Sequence, residues 1–538
     1  MTYANLTAFR PEDLGGSVGL TIGSTILFFL ISYSLLRRDD GGPPWMDETI
    51  PFISNTIEMA TNPIKFWARA QKTMETLNAD IVRFRLLGRT AYYVTGETAI
   101  APVFRHNSGL TSDDFACQLG RAMLGPTAKD IAVLDNDRSG RGKDPLPGTE
   151  HHHRFFFPWG QTFADHLLRT KPTNELTAMY LDNFTRTINT LFAPGKWHEI
   201  PLWDFFRHHQ TEAAARALHG DSILDKNPGY LELMEGFEMA LMPLTFGPPR
   251  WTGINAQHHR AWDKYMAVTR AYFRDALESY DWEANKDVLW EPVLGGRLIR
   301  ALVRWLIDDG FDIQTIAGAS AVQLSNQNSN SVPASAWAVM DSLTSSDPEL
   351  VAILTREAEA CVVEDGHFDV QKLVTMPFLQ AVYTETLRLR SGFPVSRNAV
   401  RDTKINGFKI RKGSMVQAPT PISHYAKVWD VEGHDVTEFW PRRHLREENG
   451  KAVFGLWDKR SAYFIPYGGG IGICPGRNFA RQEIIATLAH FLVHFDVEVV
   501  GWTLLDGKTP SERRAENAMG MAMFRPDRDL RVRVRRKS

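Results

Sequence analysis

The segment that says most about the fold is Phe464-Ile-Pro-Tyr-Gly-Gly-Gly-Ile-Gly-Ile-Cys474-Pro-Gly-Arg-Asn-Phe-Ala-Arg-Gln-Glu483. Its glycines permit positive φ and let the backbone approach a flat ligand closely. An apolar run with helical spacing continues to Phe495, and Pro475 suits the first turn of such a helix. We therefore expect Cys474 at a helix N-terminus, where free amides and the helix dipole stabilise a thiolate that can ligate a metal. The alternative is a buried structural cysteine in front of a helix.

This cysteine segment resembles the haem-binding loop of the cytochromes P450, in which an aromatic residue, a glycine, a cysteine and a second glycine follow at fixed spacing. Tyr467, Gly470, Cys474 and Gly476 occupy these positions, with Tyr467 in place of the usual phenylalanine. The resemblance implies that Cys474 is the axial thiolate ligand of the iron of haem b. Gly472 stands where the family usually has a basic residue that contacts a haem propionate. That contact must therefore come from elsewhere in the chain.

Two further motifs lie upstream at the distances found in this family. Glu385-Thr-Leu-Arg388 matches an ExxR signature, and its two charged residues share one helical face. Phe439-Trp-Pro441-Arg442-Arg443-His444 resembles the proline–arginine motif that follows it. The resemblance implies that Arg443 joins Glu385 and Arg388 in a buried charge network that supports the cysteine loop. Arg397 lies at the family's distance from Arg388, and its guanidinium is a candidate ligand for a propionate.

The segment 326–337 departs from the usual oxygen-activating motif of the family. Alignment on Trp337 places Ser329 where most members have an acid and Asn330 where they have a threonine, and Pro333 follows. In this it is similar to the subgroup of steroid 7α- and 12α-hydroxylases and prostacyclin synthase, which contains oxygenases and an isomerase. We expect Ser329 and Asn330 to be catalytic, with Asn330 positioning a water because its amide cannot titrate. The alternative is an exposed polar face of an amphipathic helix.

The periodicity of apolar residues predicts a body that is mainly α with small β-sheets, and the resemblance implies a cytochrome P450 fold. Helical spacing occurs at 63–77, 175–191, 212–218, 231–242, 257–280, 296–307, 313–343, 347–361 and 379–389. Alternating or β-branched stretches occur at 81–87, 91–94, 399–408 and 530–534. The polar stretch 135–150 is interpreted as a surface loop.

The N-terminal sequence predicts a transmembrane helix. Residues 14–36 contain no charged side chain, while Arg37 and Arg38 follow them, so the body is expected on the cytosolic side. A cleaved signal peptide is the alternative. We expect a short lumenal N-terminus at 1–13, an anchor at 14–36, a Pro/Gly-rich linker at 37–48 and a cytosolic catalytic domain at 49–538. The expected location is the endoplasmic reticulum membrane, crossed once.

Composition excludes several other classes of protein. The formal net charge is −2, so the basic excess typical of nucleic-acid binding is absent. The chain has 3 cysteines and no CxxC pair, which argues against a disulfide framework.

The resemblance implies a haem-thiolate monooxygenase that oxidises a hydrophobic small molecule, such as a terpenoid, a steroid-like compound or another secondary metabolite. Its expected partners are O2, NADPH-cytochrome P450 reductase and membrane lipid. A reductase-independent isomerase or dehydratase acting on a peroxide is the alternative, and a non-catalytic haem-binding membrane protein is a third hypothesis.

Overall fold

Helices make up most of the structure, a computed structural model that describes residues 41–537 apart from 51–52, 87, 106–107, 138, 146–153 and 365. The α-helices are α1 (Ser54–Thr61), α2 (Pro63–Thr76), α3 (Glu97–Phe104), α4 (Asp113–Leu124), α5 (Ala128–Asn136), α6 (Phe156–Leu167), α7 (Thr170–Leu191), α8 (Leu202–Phe205), α9 (Thr211–His219), α10 (Ser222–Lys226), α11 (Tyr230–Phe246), α12 (Ala256–Glu278), α13 (Arg297–Asp308), α14 (Ile313–Leu343), α15 (Leu350–Glu359), α16 (Val370–Leu373), α17 (Pro377–Arg390), α18 (Thr420–His424), α19 (Arg460–Tyr463) and α20 (Arg477–His494).

The strands form small sheets beside the helices. They are β1 (Ile81–Leu86), β2 (Arg89–Val94), β3 (Leu110–Thr111), β4 (Trp197–Pro201), β5 (Trp290–Glu291), β6 (Gly295–Gly296), β7 (Pro394–Ala399), β8 (Thr403–Ile405), β9 (Phe408–Ile410), β10 (Met415–Pro419), β11 (Leu445–Glu448), β12 (Lys451–Phe454), β13 (Phe495–Thr503), β14 (Asn517–Ala518), β15 (Arg525–Pro526) and β16 (Asp529–Arg536). The largest sheet has the order β1-β2-β10-β7-β3, and a second has the order β13-β16-β4. The expected class, mainly α with small β-sheets, is confirmed.

The long helix α14 runs through the core and is buried along most of its length. It packs against α12, α17 and α20. Near its C-terminal end, Asp341 forms a buried ion pair with Arg390 of α17 at 2.8 Å. The Arg390 guanidinium lies 3.6 Å from the ring centroid of Trp337, and the Trp337 indole donates to the Phe524 carbonyl at 3.0 Å. These contacts hold α14, α17 and the C-terminal segment together around the site.

Three details differ from the sequence-based expectations. The predicted strand 399–408 is interrupted: β7 ends at Ala399, and β8 and β9 form a hairpin. Asn406 and Gly407 have φ of 48° and 82°, as a tight turn requires. The helix after the cysteine begins at Arg477 rather than at Pro475, so Cys474 precedes the turn formed by Pro475 and Gly476. The helices that were not predicted include α4 and α6, although the sequences of both are amphipathic.

The predicted membrane anchor at 14–36 lies outside the described residues, as do residues 1–13 and residues 37–40 of the linker. Among the helices that the structure describes, none combines the length and the apolar character needed to cross a bilayer.

Candidate active site

Cys474 is held by backbone hydrogen bonds on both sides of its thiol. Its amide donates to the Tyr467 carbonyl at 3.0 Å, which closes the glycine-rich turn. The amides of Gly476 and Arg477 donate toward the sulfur. Burial raises the pKa of the thiol, while these two amides and the guanidiniums of Arg477 and Arg141 act in the opposite direction. The local environment therefore contains the donors that an anionic sulfur ligand needs.

Gly470 is required by a close approach between two segments. Its φ is 66°, and a β-carbon there would lie 2.2 Å from the carbonyl oxygen of Phe104, the last residue of α3. A side chain is therefore excluded by both the backbone conformation and the contact. This glycine lets the cysteine loop lie flat against the end of α3.

The predicted charge network is assembled in the core. Both Nε and Nη2 of Arg388 donate to the Glu385 carboxylate, at 2.8 and 2.9 Å, and Arg443 Nε donates to it at 2.7 Å. All three side chains have 0% exposure. His444, which the sequence analysis did not single out, completes the set with a contact of 2.9 Å between its Nε2 and Glu385.

The protonation states in this network are set by competing effects. Burial alone would raise the pKa of Glu385, but Arg388, His444 and Arg443 outweigh it and hold that pKa well below its usual range. Burial lowers the pKa of His444, so this ring is neutral at neutral pH. A neutral ring that donates through Nε2 leaves Nδ1 as an acceptor, which agrees with the lack of a hydrogen-bond partner for Nδ1 among the described residues.

Two hydrogen-bonded links connect the network to the cysteine loop. His424 Nδ1 lies 3.1 Å from the Arg388 carbonyl, and its Nε2 accepts from the Ile465 amide at 3.0 Å. Burial lowers the pKa of His424 to about 3, so the ring stays neutral and can serve both contacts. The second link joins the hydroxyls of Tyr383 and Tyr467 at 2.8 Å. Tyr467 thus gains, through its hydroxyl, a contact with α17 that phenylalanine cannot make.

A cavity of about 370 Å³ opens above Cys474. Most of its wall is apolar, and its polar side chains come mainly from α14. The residues that line it include Gln323, Asn326, Gln327, Asn330, Tyr467, Gly472, Glu483 and Met523. Concave, mainly apolar sites with a few polar groups are typical of sites for small molecules and cofactors.

The two residues expected to be catalytic lie in different places. Asn330 lines the cavity with Cys474, whereas Ser329 lines a second cavity of about 430 Å³ on another face of α14. The Asn330 amide is engaged: its Oδ1 accepts from the amides of Ala522 and Met523 at 3.1 and 3.2 Å, and its Nδ2 donates to the Asn326 carbonyl at 3.2 Å. Asn330 therefore attaches the C-terminal segment to α14.

Gln327 is a functional candidate that the sequence analysis missed. It lies one helical turn before Asn330 and lines the same cavity. Both polar atoms of its amide are buried and have no hydrogen-bond partner among the described residues. Position alone could have suggested it, because residues three apart share a face of a helix.

The predicted propionate ligand Arg397 lies on β7 beside the cysteine loop. Its Nη2 donates to the Gly469 carbonyl at 3.3 Å. Near it lies Arg141, from the stretch 135–150 that was interpreted as a surface loop. That interpretation is wrong for this part of the stretch, because Asp137 is buried and Arg141 is partly buried beside Gly472.

A cysteine in a glycine-rich turn, a neighbouring pair of guanidiniums and a long helix beside the cavity are together the features of a haem-thiolate protein. The residues present fit haem b, since Cys474 would supply the sulfur, the guanidiniums would suit its propionates and the loop glycines leave room for a flat ring. Residues 221–504 match the family described as Cytochrome P450, and the chain belongs to this family. Its cofactor is haem b, and it is an oxidoreductase of the oxygen-incorporating class.

Similar proteins come from fungi and from a mammal. The chain is 34% identical to the cytochrome P450 monooxygenase calL of Penicillium decumbens, over 90% of this chain and 91% of the relative. It is 26% identical to the cytochrome P450 monooxygenase fsoE of Humicola fuscoatra, over 92% of this chain and 88% of the relative. A more distant relative is cytochrome P450 7A1 of Sus scrofa, which is 22% identical over 97% of this chain and 98% of the relative. That match is consistent with the resemblance based on Asn330 and Pro333.

Proposed function

We propose that this protein is a haem-thiolate monooxygenase that oxidises a hydrophobic small molecule, namely a terpenoid, a steroid-like compound or another secondary metabolite. The observation that carries the proposal is the position of Cys474, with amide donors at its sulfur, beneath a largely apolar cavity. The naming of two fungal relatives as monooxygenases supports it. When bound, haem b supplies the activation of O2 and the transfer of one oxygen atom to the substrate.

The residues of this chain would have separate tasks in that reaction. Gln327 can hold a water in the cavity through its amide Oε1 and Nε2, which the described residues leave without partners. Asn330 fixes the segment containing Ala522 and Met523, which forms part of the cavity wall. Such a fixed wall orients a substrate and excludes bulk water. We assign no chemical role to Ser329, because it lines the other cavity.

We further propose that NADPH-cytochrome P450 reductase supplies the electrons and that the protein acts at the endoplasmic reticulum membrane, with 14–36 as the anchor and 49–538 as the catalytic domain. Lipid contact by the body is supported by exposed apolar side chains at the end of α11 and in the segment between α11 and α12. Phe246, Trp251 and Ile254 are 59%, 86% and 72% exposed. Exposed large apolar residues clustered in one segment are a feature of surfaces that meet a membrane or a partner.

The decisive test is a reduced-CO difference spectrum followed by an assay of NADPH-dependent oxidation with the reductase. The wild type should give the red-shifted band of a thiolate-ligated haem, and Cys474→Ala should lose both the band and the activity. Cys117→Ala is the matched control, because the Cys117 thiol instead contacts the Leu134 carbonyl at 3.7 Å. Retention of the band in Cys474→Ala would refute the ligand assignment. Conversion of a peroxide substrate without NADPH would refute monooxygenation in favour of an isomerase.

A further inference from the structure

Gly472 leaves a space that two arginines share. A β-carbon at position 472 would lie 3.0 Å from Nη1 of Arg141 and 3.5 Å from Nη2 of Arg397. Gly472 itself lines the cavity with Cys474. Two guanidiniums from distant parts of the chain therefore meet at the edge of the cofactor cavity, at the position where a side chain of residue 472 would begin.

The loop that carries Arg141 is held in place by a buried arginine. Arg154 donates to the carbonyls of Gly140, Gly142 and Lys143, the first and last at 3.1 and 2.9 Å. Its side chain is 1% exposed and lies 3.6 Å from the buried Asp137 carboxylate. Three carbonyls on one buried guanidinium fix the backbone on both sides of Arg141. The buried contacts of Arg154 therefore fix the position of the loop from which Arg141 approaches Gly472.

The charges at this point favour an anion. Burial lowers the pKa of Arg397, and the charge of Arg141 lowers it further, so the two cations lie close enough to repel. Asp113 acts on the pKa of both guanidiniums in the opposite direction, and Cys474 acts in the same direction as Asp113 on that of Arg141. Among the described residues, no hydrogen bond or ion pair engages the Arg141 guanidinium. Like charges gathered in a partly buried place, with free donors, form a site for an anion.

We propose that Arg141, together with Arg397, binds a propionate of haem b, and that Arg141 replaces the basic residue missing at position 472. The guanidinium reaches the propionate from another loop, and glycine at 472 is what makes room for it. The planar fork of an arginine suits a carboxylate. The proposal depends on the haem b of the family but not on the substrate or the reductase.

The test measures the rate at which the purified holoenzyme releases haem to an excess of a haem-scavenging apoprotein, without substrate or reductase. Arg141→Ala should release haem about tenfold faster or more, as expected for the loss of a charge-assisted hydrogen bond. Lys143→Ala is the matched control, because it removes an exposed charge from the same loop and keeps the carbonyl bound by Arg154. It should release haem at the wild-type rate.

A second substitution separates propionate binding from a structural role of Arg141. Gly472→Arg should speed haem release in the wild-type background, because its β-carbon would crowd Arg141. In the Arg141→Ala background the same change should slow release toward the wild-type rate, since the new guanidinium takes the vacated place. The opposite effects of Gly472→Arg on the haem release rate in the two backgrounds also test the proposal if Arg141→Ala alone loads little haem. The proposal would be overturned if Arg141→Ala released haem at the wild-type rate, or if Gly472→Arg had the same effect on that rate in both backgrounds. Neither result would contradict the proposed function.

Discussion

Adjacent residues of α14 face different surroundings because each residue turns the helix by about 100°. Ser329 faces one cavity, while Asn330 and Gln327 line the other. Several polar side chains of this helix bond to the carbonyl four residues earlier, as Asn328 does at 2.9 Å and Ser331 at 2.8 Å. This back-bonding lets a polar run lie inside a buried helix. Gln327 makes no such bond, and both polar atoms of its buried amide lack partners among the described residues, which indicates a role in the cavity.

At the residue scale, we predict that Gln327→Leu uncouples the reaction. Leucine keeps most of the volume but cannot hold a water, so more peroxide should be released per NADPH oxidised, with product formation falling about 10²-fold. Ser329→Ala, on the other cavity, is the control and should stay fully coupled. Asn330→Ala should instead lower the melting temperature, because it removes the acceptor of the partly buried amides of Ala522 and Met523. Measurement of NADPH, peroxide and product together tests the uncoupling predicted for Gln327→Leu, and full coupling in that variant would contradict it.

At the scale of elements, the network around Glu385 joins α17 to the short helical turn Pro441–His444, and it reaches the cysteine loop through His424. We predict that Glu385→Ala and Arg388→Ala each prevent stable haem incorporation. Removal of one partner leaves a buried charge without compensation, at a cost of roughly 3–5 kcal/mol. Haem content per protein and thermal unfolding are the measurements.

The control for this prediction is Arg446→Ala, which removes an ion pair with Asp458 whose side chains are 50% and 71% exposed. Exposed pairs contribute about 0–1 kcal/mol, so this variant should load haem normally. Normal haem content in either network variant would show that the cysteine loop does not depend on the network.

At the scale of the whole molecule, deletion of residues 1–38, which contain the proposed anchor, should make the protein extractable by carbonate while haem stays bound. The body should keep a weaker lipid contact through Phe246, Trp251 and Ile254. In the shortened protein, Trp251→Ser should therefore reduce binding to vesicles, while Leu505→Ser, another exposed apolar residue, should not. Resistance to carbonate extraction that survives the deletion would be evidence against a single anchor.

The pH dependence of global stability should carry the signature of Glu483. Burial raises the pKa of this carboxyl to about 7. Its hydrogen bonds with Ser331 and Gln210 lower the pKa, but by less than burial raises it. The folded state therefore holds the proton more tightly than the unfolded chain does. The stability contributed by this group is full below its unfolded pKa of about 4.3 and is lost as pH rises toward about 7.

Glu483→Gln should remove that loss. The variant should gain on the order of 3 kcal/mol relative to the wild type between about pH 4 and pH 8, because an amide mimics the protonated acid without titrating. Thermal unfolding followed by circular dichroism across this range measures the difference. Parallel pH profiles for the two proteins would disprove the raised pKa.

Local sequence was sufficient for the features that depend on short-range order. Glycine spacing around Cys474, the ExxR pair on one helical face and the apolar period of 313–343 each act within a few turns of chain, and the structure has the corresponding loop, pair and helix. The mainly helical class followed from the same periodicity. The membrane anchor and the substrate stay predictions from sequence and resemblance.

Tertiary structure alone decided which distant residues meet. Ser329 and Asn330 are neighbours in sequence, but the packing of α14 assigns them to different cavities. His444 stands at the end of the proline–arginine motif and Gln327 in the polar run of α14, but only the contact of His444 with Glu385 and the unpartnered buried amide of Gln327 show their importance. Arg141 lies in a polar stretch whose composition indicates a surface loop, yet the buried Asp137 and Arg154 bring it to Gly472. Composition and periodicity report local preference, whereas such contacts depend on the path of the whole chain, which is set by packing between elements far apart in sequence.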